Sequence, residues 1–519
     1  MSTPVAPHIE HCADTTPAPS LRRVAVVGAG IAGLAAAFDL VKAGIEVTVV
    51  EAGPHAGGKL RTTDFVGLPL DEGADAFLAR VPWAVQLCEE LGLGPQLRSP
   101  DIGAAQVVHH GRLHPLPSGL MLGVPTDLDA LEASGLLSSG ALAEVRADAD
   151  RPAARDLTGT SPSSAVSDTT GNTVGDVALG ALVRARLGDE AFEVLVDPLL
   201  SGVNAGRADE LSAELGAMQI LTAARADASL VRGARQLLAR ATASTGNSPP
   251  PPVFLSVPGG MGRLVGALVE AIGPHRMCHH RAVTALQRHD DGYHLSVEPT
   301  GDPTTDTAID SAGRLRQAVL GPFDGVVLAC PAPTSAALLA PFASVAAGGL
   351  AELRYASVAL VALAYRPEQL PGPLAYSGFL VPRRAGRFLT ACSWSSAKFA
   401  HLGADGTVRL RASVGRSDDT RFVSMTDQDM LTAIAEELRE LMGIHGDPFA
   451  WRVHRWMNAL PQYQPGHAQQ VAKWEADLAA HAPEVVLAGA SLRGLGIPAC
   501  IASGRHAARS LLAGTPIGG

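Results

Sequence analysis

Residues 24–51 constrain the fold of this chain more than any other stretch. An apolar run, Val24–Val27, leads into the glycine turn GAGIAG; the segment LAAAFDLVKAG follows, closed by Gly44, and a second apolar run, Val47–Val50, ends at Glu51. Strand, turn, helix and strand in that order predict a βαβ unit of the nucleotide-binding type. Gly28, Gly30 and Gly33 stand in G-x-G-x-x-G spacing: the first permits the tight turn, the second lets backbone approach a pyrophosphate, and the third lets helix pack on strand. With Ala29, Ile31 and Ala32 between them, they place free backbone amides at the positive end of a helix dipole. Glu51, followed by Ala52, falls at the end of the second strand, where a carboxylate accepts hydrogen bonds from ribose hydroxyls. The glycines alone are weak evidence. Strand, helix, second strand and acid in sequence make a dinucleotide site the expectation, while the choice between FAD and NAD stays open at this point.

A chain of 519 residues exceeds what one hydrophobic core supports, so two or three domains are expected. Its formal net charge is -10 and 18% of its residues are charged, which excludes the dense basic footprint of a nucleic-acid binder. A few basic side chains in one cleft remain compatible with a small anionic substrate. The six cysteines, Cys12, Cys88, Cys278, Cys330, Cys392 and Cys500, contain no C-x-x-C pair and suggest neither a disulfide framework nor zinc, which fits a reducing cytoplasm. The 17 histidines show no metal-ligand spacing, so no metal is expected. The first twenty residues lack the apolar core of a secretory signal and read as a disordered tail. The longest uncharged stretch, 326–351, carries Pro331, Pro333 and Pro341 and is poor material for a membrane span; peripheral membrane contact is not addressed by that test.

Farther along, residues 119–243 are mainly helical in pattern, as in VGDVALGALVRARLG and ARQLLARATA, broken by the polar stretch 158–172. GNSPPPP at 246–252 reads as a surface loop. Strand signals return at VFLSV, HLSVE and GVVLA, around a loop at 299–321, and then at ASVALVALAY, GFLVP, FLTACSW and VRLRASV. A helix at MLTAIAEELRELM and a final strand, glycine turn and helix, VVLAGASLRGLGIPACIASGRHAARSLLAG, end the chain. No fixed-period repeat appears.

After Glu51 the chain reads AGPHAGGKLRT, which resembles the E-x(5)-G-G-[RK] extension of amine-oxidase-like flavoproteins and favours FAD. Gly57 and Gly58 would let the chain turn close to the cofactor, and Lys59 would bring a cation to it, a solvated surface lysine being the alternative. In such proteins a C-terminal strand, turn and helix bring amides to the flavin; Gly489, Leu495, Gly496 and Ile497 in GASLRGLGIPACI are the candidates. LDEGADAFLARVP, SVPGGMGRLVGAL, FLTACSWSSAKF, LPQYQPGH and GASLRGLGIPACI together resemble successive landmarks of the HemY-type coproporphyrinogen and protoporphyrinogen oxidases, from residue 24 to about 512. The resemblance implies that Gly73, Ala74, Asp75 and Ala76 lie against the flavin, that Val283 contacts the adenine side through its backbone, and that Trp456 packs near the cofactor. For Val283 and Trp456 ordinary core packing is the alternative. One departure is visible: Ala499 stands where the family has an acid.

The fold class expected is therefore α/β and α+β: a discontinuous Rossmann-like FAD-binding domain at 22–100, 251–350 and 481–519, a β-sheet substrate domain at 101–118 and 351–480, and a helical insertion at 119–250, behind a tail at 1–21. The activity implied is oxidation of coproporphyrinogen III to coproporphyrin III in haem biosynthesis. Each of three rounds transfers a hydride from a saturated bridging carbon to flavin N5, and O₂ reoxidises the flavin with release of H₂O₂. No nucleophilic triad is found, and positioning carries catalysis. Substrate carboxylates need cations, for which Arg80 is the first candidate, with Lys398 and Arg493 behind it. Protoporphyrinogen IX is the alternative substrate. A polyamine oxidase, a carotenoid desaturase or a non-catalytic flavin-binding scaffold are further alternatives. Hand-over of product to ferrochelatase-type or haem-forming enzymes is implied by the resemblance only.

Overall fold

The computed structural model describes residues 21–152, 166–167, 173–174, 176–245, 252–300 and 318–514. The expected tail, nearly all of the polar stretch 158–172, the proline loop and most of the 299–321 loop lie outside the described residues.

Val24 to Val27 are at most 4% exposed because their strand is the middle of a five-stranded parallel sheet covered on both faces. A strand so placed reads as an unbroken apolar run. Its side chains alternate: Val24 and Val26 join the core under helices Ile31–Lys42, Gly262–Ile272 and Ile497–Ala513, while Ala25 and Val27 join the opposite core under Ala332–Leu339, Ser344–Ala351 and His467–His481. Across the sheet the order is Met277–Cys278, Glu46–Val50, Arg23–Val27, Gly325–Leu328, Val485–Leu487. One sheet is thus assembled from four distant parts of the chain. A three-stranded antiparallel sheet, Arg281–His289, Gly292–Pro299 and Ala318–Phe323, covers part of the second face.

The second large sheet has seven strands, in the order Ala450–Pro461, Tyr355–Tyr365, Val408–Val414, Leu389–Ser393, Gly378–Leu380, Gln106–His109, Arg112–Pro115. The long apolar strand YASVALVALAY is buried on both sides. Ala359, Val361, Leu363 and Tyr365 meet helix Asp427–Met442, and Ala364 meets Phe65, Leu70 and Phe399. That helix starts at Thr426, whose side chain accepts from Asp429 N at 3.1 Å, and stops at Gly443 with φ 65°. Its Met430, Ile434 and Leu438 form the buried stripe.

Helices between Leu128–Ser134 and Leu230–Thr245 share a separate core that also takes in Val107 of the seven-stranded sheet. Two expectations change. VFLSV forms only the short strand Phe254–Leu255, paired with Phe77–Leu78. Helix His467–His481, grouped above with the substrate sheet, packs instead on the nucleotide sheet. Its Val471, Trp474 and Leu478 enter that core, and Asp477 caps helix Ser344–Ala351 through the amides of Val345 and Ala346, both at 2.9 Å. Gly349 makes the approach feasible, since a Cβ there would stand 2.0 Å from Trp474 Nε1.

Candidate active site

Steric demand explains the first turn. Gly28 has φ 101°, and a Cβ on it would lie 2.8 Å from the Ala329 carbonyl oxygen; one on Gly33 would lie 2.0 Å from the Gly28 oxygen. Nothing stands within 4 Å of the corresponding point at Gly30, which begins helix Ile31–Lys42 without a side-chain cap or an acid in the first turn. The first intrahelical bond runs from Leu34 N to Gly30 O at 2.9 Å, so the amides of Ile31, Ala32 and Gly33 face outward without helical partners. A bare helix N-terminus of this kind fits a pyrophosphate.

Glu51 is already engaged. Its Oε2 accepts from Ala29 N and its Oε1 from Gly53 N, each at 2.7 Å, which ties the first turn to the second strand. Each oxygen keeps a second acceptor site for a ribose hydroxyl. Ala52 offers its carbonyl to the Thr300 hydroxyl. Val283 lies two residues beyond Arg281, whose amide donates to the Glu51 carbonyl at 2.9 Å; its side chain is buried with Val50.

The next segment folds back onto the same turn. Gly57 N donates to Ala29 O at 2.8 Å, and a Cβ on Gly58 would be 3.2 Å from Gly30 Cα. Lys59 keeps solvent access while neighbouring atoms desolvate its ammonium and lower its pKa, and the closest titratable group to act on it is Cys500. Burial pushes the Cys500 thiol up to about 11, against the pull of Lys59. The Lys59 carbonyl is 2.3 Å from where a Gly73 Cβ would stand.

From the far end of the chain, Gly489, with φ 113°, comes within 3.8 Å of the Ala32 methyl, measured from its would-be Cβ. Gly496 opens helix Ile497–Ala513, again without a side-chain cap. Gly504 lets that helix lie directly on the first, because a Cβ there would be 2.0 Å from Ala32 O. The turns at 28–33 and 489–497 therefore meet. Leu495 turns its carbonyl toward Cys500 Sγ at 3.7 Å. The methyl of Ala499 lies 2.6 Å from the Cβ that Gly494 lacks.

The segment 73–76 is held by charge. Both Asp75 carboxylate oxygens sit 3.1 Å from Lys398 Nζ, and Arg411 Nη2 is 3.0 Å away; Arg411 Nη1 also donates to Gly73 O at 2.8 Å. Burial would raise the Asp75 pKa, but Arg411 and Lys398 outweigh it and hold the carboxyl down to about 2. Ala74 is exposed, and Ala76 packs beside Phe65 and Phe399. Trp456 donates to Glu72 O at 2.8 Å, packs against His454 with ring centroids 4.2 Å apart and planes tilted by 52°, and lies 3.7 Å from the would-be Gly73 Cβ. Glu72 in turn faces Arg61 at 3.0 Å and His454 at 3.1 Å.

Two of the three expected substrate cations are committed elsewhere. Lys398 belongs to Asp75, and Arg493 forms a forked pair with Glu475, 2.5 Å for each bond. Arg80 is exposed and has no acidic partner among the described residues, and desolvation lowers its pKa. Arg411 went unread in the sequence, although a signal existed: Arg409 and Arg411 alternate in a strand that is otherwise apolar apart from Ser413, and a buried charge there requires a partner.

Main-chain amides left bare at a helix end, with a carboxylate tied beside them, put the molecule in the class of dinucleotide-binding oxidoreductases. Residues 31–512 match the flavin containing amine oxidoreductases, and the chain belongs to that family, with FAD as its flavin. It is 30% identical to a coproporphyrinogen III oxidase of Bacillus subtilis (strain 168), over 95% of this chain and 98% of that one. A coproporphyrinogen III oxidase of Mycobacterium leprae (strain TN) is 33% identical, over 95% of this chain and 98% of the other. Among solved structures, a protein of Exiguobacterium sp. 255-15 provisionally assigned as a protoporphyrinogen oxidase superposes with TM-score 0.78 at 30% identity, covering 95% of this chain and 99% of that one. Among the described residues, no helix is long and apolar enough to cross a membrane.

Proposed function

We propose that the chain oxidises coproporphyrinogen III to coproporphyrin III, with O₂ as acceptor and H₂O₂ as second product, and serves haem biosynthesis. The reading is supported chiefly by likeness to coproporphyrinogen III oxidases over nearly the whole of both chains. When bound, FAD would supply the hydride-accepting chemistry of the oxidation. The amides of Ile31, Ala32 and Gly33 would hold its pyrophosphate, with Glu51 and Ala52 at the ribose, Gly57–Lys59 and Gly73–Ala76 beside the ring system, and Val283 near the adenine. The loop from Gly489 to Ile497 would aim amides at the pyrimidine edge, where they favour negative charge. Trp456 would close the side next to Gly73.

Arg80, free of any ion pair among the described residues, would take a substrate carboxylate. Arg80→Gln should raise KM about tenfold, the size of one charge-assisted contact, and leave FAD content unchanged. Steady-state kinetics beside flavin absorbance checks this; equal loss of both would place Arg80 in the fold instead.

Anaerobic mixing with coproporphyrinogen III tests the whole reading. Bleaching of the flavin band is the expected result, and a flavin that stays oxidised with both coproporphyrinogen and protoporphyrinogen overturns it. Initial rates on the two decide which is preferred, a choice sharpened by the protoporphyrinogen oxidase assignment of the Exiguobacterium protein. A cytoplasmic location, peripheral membrane contact and hand-over of product to a metal-inserting enzyme belong to the same proposal.

A further inference from the structure

The motif LPQYQPGH has no part in the chemistry above, yet the structure places it at a three-way junction. On one side lies the C-terminal glycine loop. The Tyr463 hydroxyl donates to the Ala490 carbonyl and its own oxygen faces the Gly494 amide, and His467 Nε2 is 3.0 Å from the Ser491 carbonyl. Since a carbonyl only accepts, that ring nitrogen carries the proton. Tyr463 is 2% exposed and His467 7%, and their rings lie 4.8 Å apart.

On the other side lies the helical layer. Ser212 N donates to Tyr463 O at 2.8 Å, Gly466 N donates to Asp176 Oδ2 at 3.0 Å, and the same Oδ2 takes the Ser212 hydroxyl at 2.6 Å. Gln462 Nε2 donates to Asn204 O at 2.9 Å. The fit is close, for a Cβ on Gly206 would stand 2.0 Å from Gln462 Oε1.

The loop needs such fixing. Gly489 and Gly494 have φ 113° and 146°, conformations that their own side-chain-free residues permit but do not enforce, since glycine populates both signs of φ. Pinning the Ala490 and Ser491 carbonyls sets two consecutive peptide planes, because each plane is rigid. The Ser491 amide then points where its plane dictates, and the Leu492 amide turns back to the Gly489 carbonyl at 3.3 Å, which fixes the entry of the chain into 494–497.

We propose that the turn Gln462–His467 is a positioning element that couples the helical layer to the flavin-facing loop, with Tyr463 and His467 setting the aim of that loop's amides. This rests on the flavin-facing role given to residues 489–497 above. Neither side chain is a catalytic residue.

Tyr463→Phe removes one hydroxyl and keeps the ring. The holoenzyme should retain full FAD content, while the reduced flavin loses about tenfold in relative stability, which for a two-electron couple lowers the potential by about 30 mV. The rate of anaerobic flavin reduction should fall about tenfold, and KM should stay within about twofold, since only an electrostatic aim has changed. Asp176→Asn, on the helical side, should shift the potential in the same direction by less. His467→Gln, which can keep a donor near Nε2, should stay close to the wild-type potential, whereas His467→Leu should follow Tyr463→Phe. In the apoprotein, amide exchange across 489–496 should quicken for Tyr463→Phe and for Asp176→Asn. Variants that melt earlier with unchanged potential and unchanged exchange in this loop would reduce the turn to packing and overturn the coupling. Wild-type protein that takes up no FAD would sink the flavin reading itself, a different failure.

Discussion

The two glycine turns that meet over helix Ile31–Lys42 are held by opposite means. At 28–33 the constraint is steric: backbone carbonyls, the turn's own at Gly28 and that of Ala329 after strand Gly325–Leu328, leave no room for side chains. At 489–496 the constraint comes from elsewhere. Ser503 takes the Gly489 amide at 3.0 Å, Tyr463 and His467 hold two carbonyls, and Tyr355 bonds Ser491 Oγ at 2.9 Å. A turn of the first kind shows in its own residues, because lack of space demands glycine, and one of the second kind shows only in the side chains that hold it.

Substitution at a glycine of each turn separates the two most sharply. Gly33→Ala puts a methyl 2.0 Å from backbone, which cannot yield as a side chain would, so a loss of about 3 kcal/mol or more and absence of bound FAD are expected. Gly489→Ala has room, with only Ala32 Cβ at 3.8 Å, and costs the left-handed strain of about 1 to 2 kcal/mol. Purified yield, flavin absorbance and Tm check both. Equal damage from the two would erase the distinction.

The same distinction explains what was legible in the sequence. The βαβ unit was readable because the residues of its motif, three glycines between two apolar runs and a closing Glu51, all fall within 24–51, although the first strand pairs with distant Gly325–Leu328 and the helix packs on Ile497–Ala513. The apolar strands of the second sheet were readable because their burial shows in composition. Strand Ala450–Pro461 was not: Arg452 and His454 hide its alternation, and their partners are far away, Thr63 standing 389 positions from Arg452. Lys398 read as a free cation for the same reason, since nothing local announces that Asp75, 323 positions away, will face it, whereas the partner of Arg493, Glu475, is only 18 positions off but on a separate helix. Residues 467–480 were placed with the substrate sheet and no helix was read there, and helix His467–His481 presents an apolar stripe that fits any core. Its Gly349 and Asp477 contacts, which settle the matter, are tertiary.

The segment 71–76 is held from outside in the second manner, and Arg411 is its main restraint. Arg411→Met leaves Asp75 with Lys398 alone and strips the donor from the Gly73 carbonyl. Removing one partner from so buried a cluster costs about 3 kcal/mol, and urea unfolding should show it. An unchanged midpoint would mean that Lys398 suffices.

Asp71 sharpens the point with a sign. Its carboxyl, bonded to Thr62 and to Met261 N at 2.9 Å, is raised by burial, with Asp75 adding to the rise and Thr62, Met261 and Arg411 opposing, from 3.8 to about 6. A folded pKa above the unfolded one means stability that is complete below pH 3.8 and lost as pH rises through about 6. That displacement is worth about 3 kcal/mol at most. Asp71→Asn cannot ionise, so its stability relative to wild type should improve between about pH 4 and 6 and then level off. Melting curves across that window test it, and a constant difference would show that Asp71 ionises no less readily when folded.

The smallest effect falls in the second turn. Arg493 lies in the loop that Tyr463 and His467 hold, and its forked pair with Glu475 looks like another restraint of the same kind. Its side chain is 42% exposed, however, while that of Glu475 is 7% exposed, so water screens one partner and the net contribution shrinks to about 1 kcal/mol. Its guanidinium is also committed to Glu475, which leaves little of it for a substrate carboxylate. Arg493→Gln should therefore lower Tm by only a few degrees, leave the flavin spectrum unchanged and, in contrast to Arg80→Gln, leave KM unchanged. A rise in KM for Arg493→Gln as large as that for Arg80→Gln would mean that the Glu475 pair opens when substrate arrives, and the loop would then be held by Tyr463 and His467 without help from Arg493.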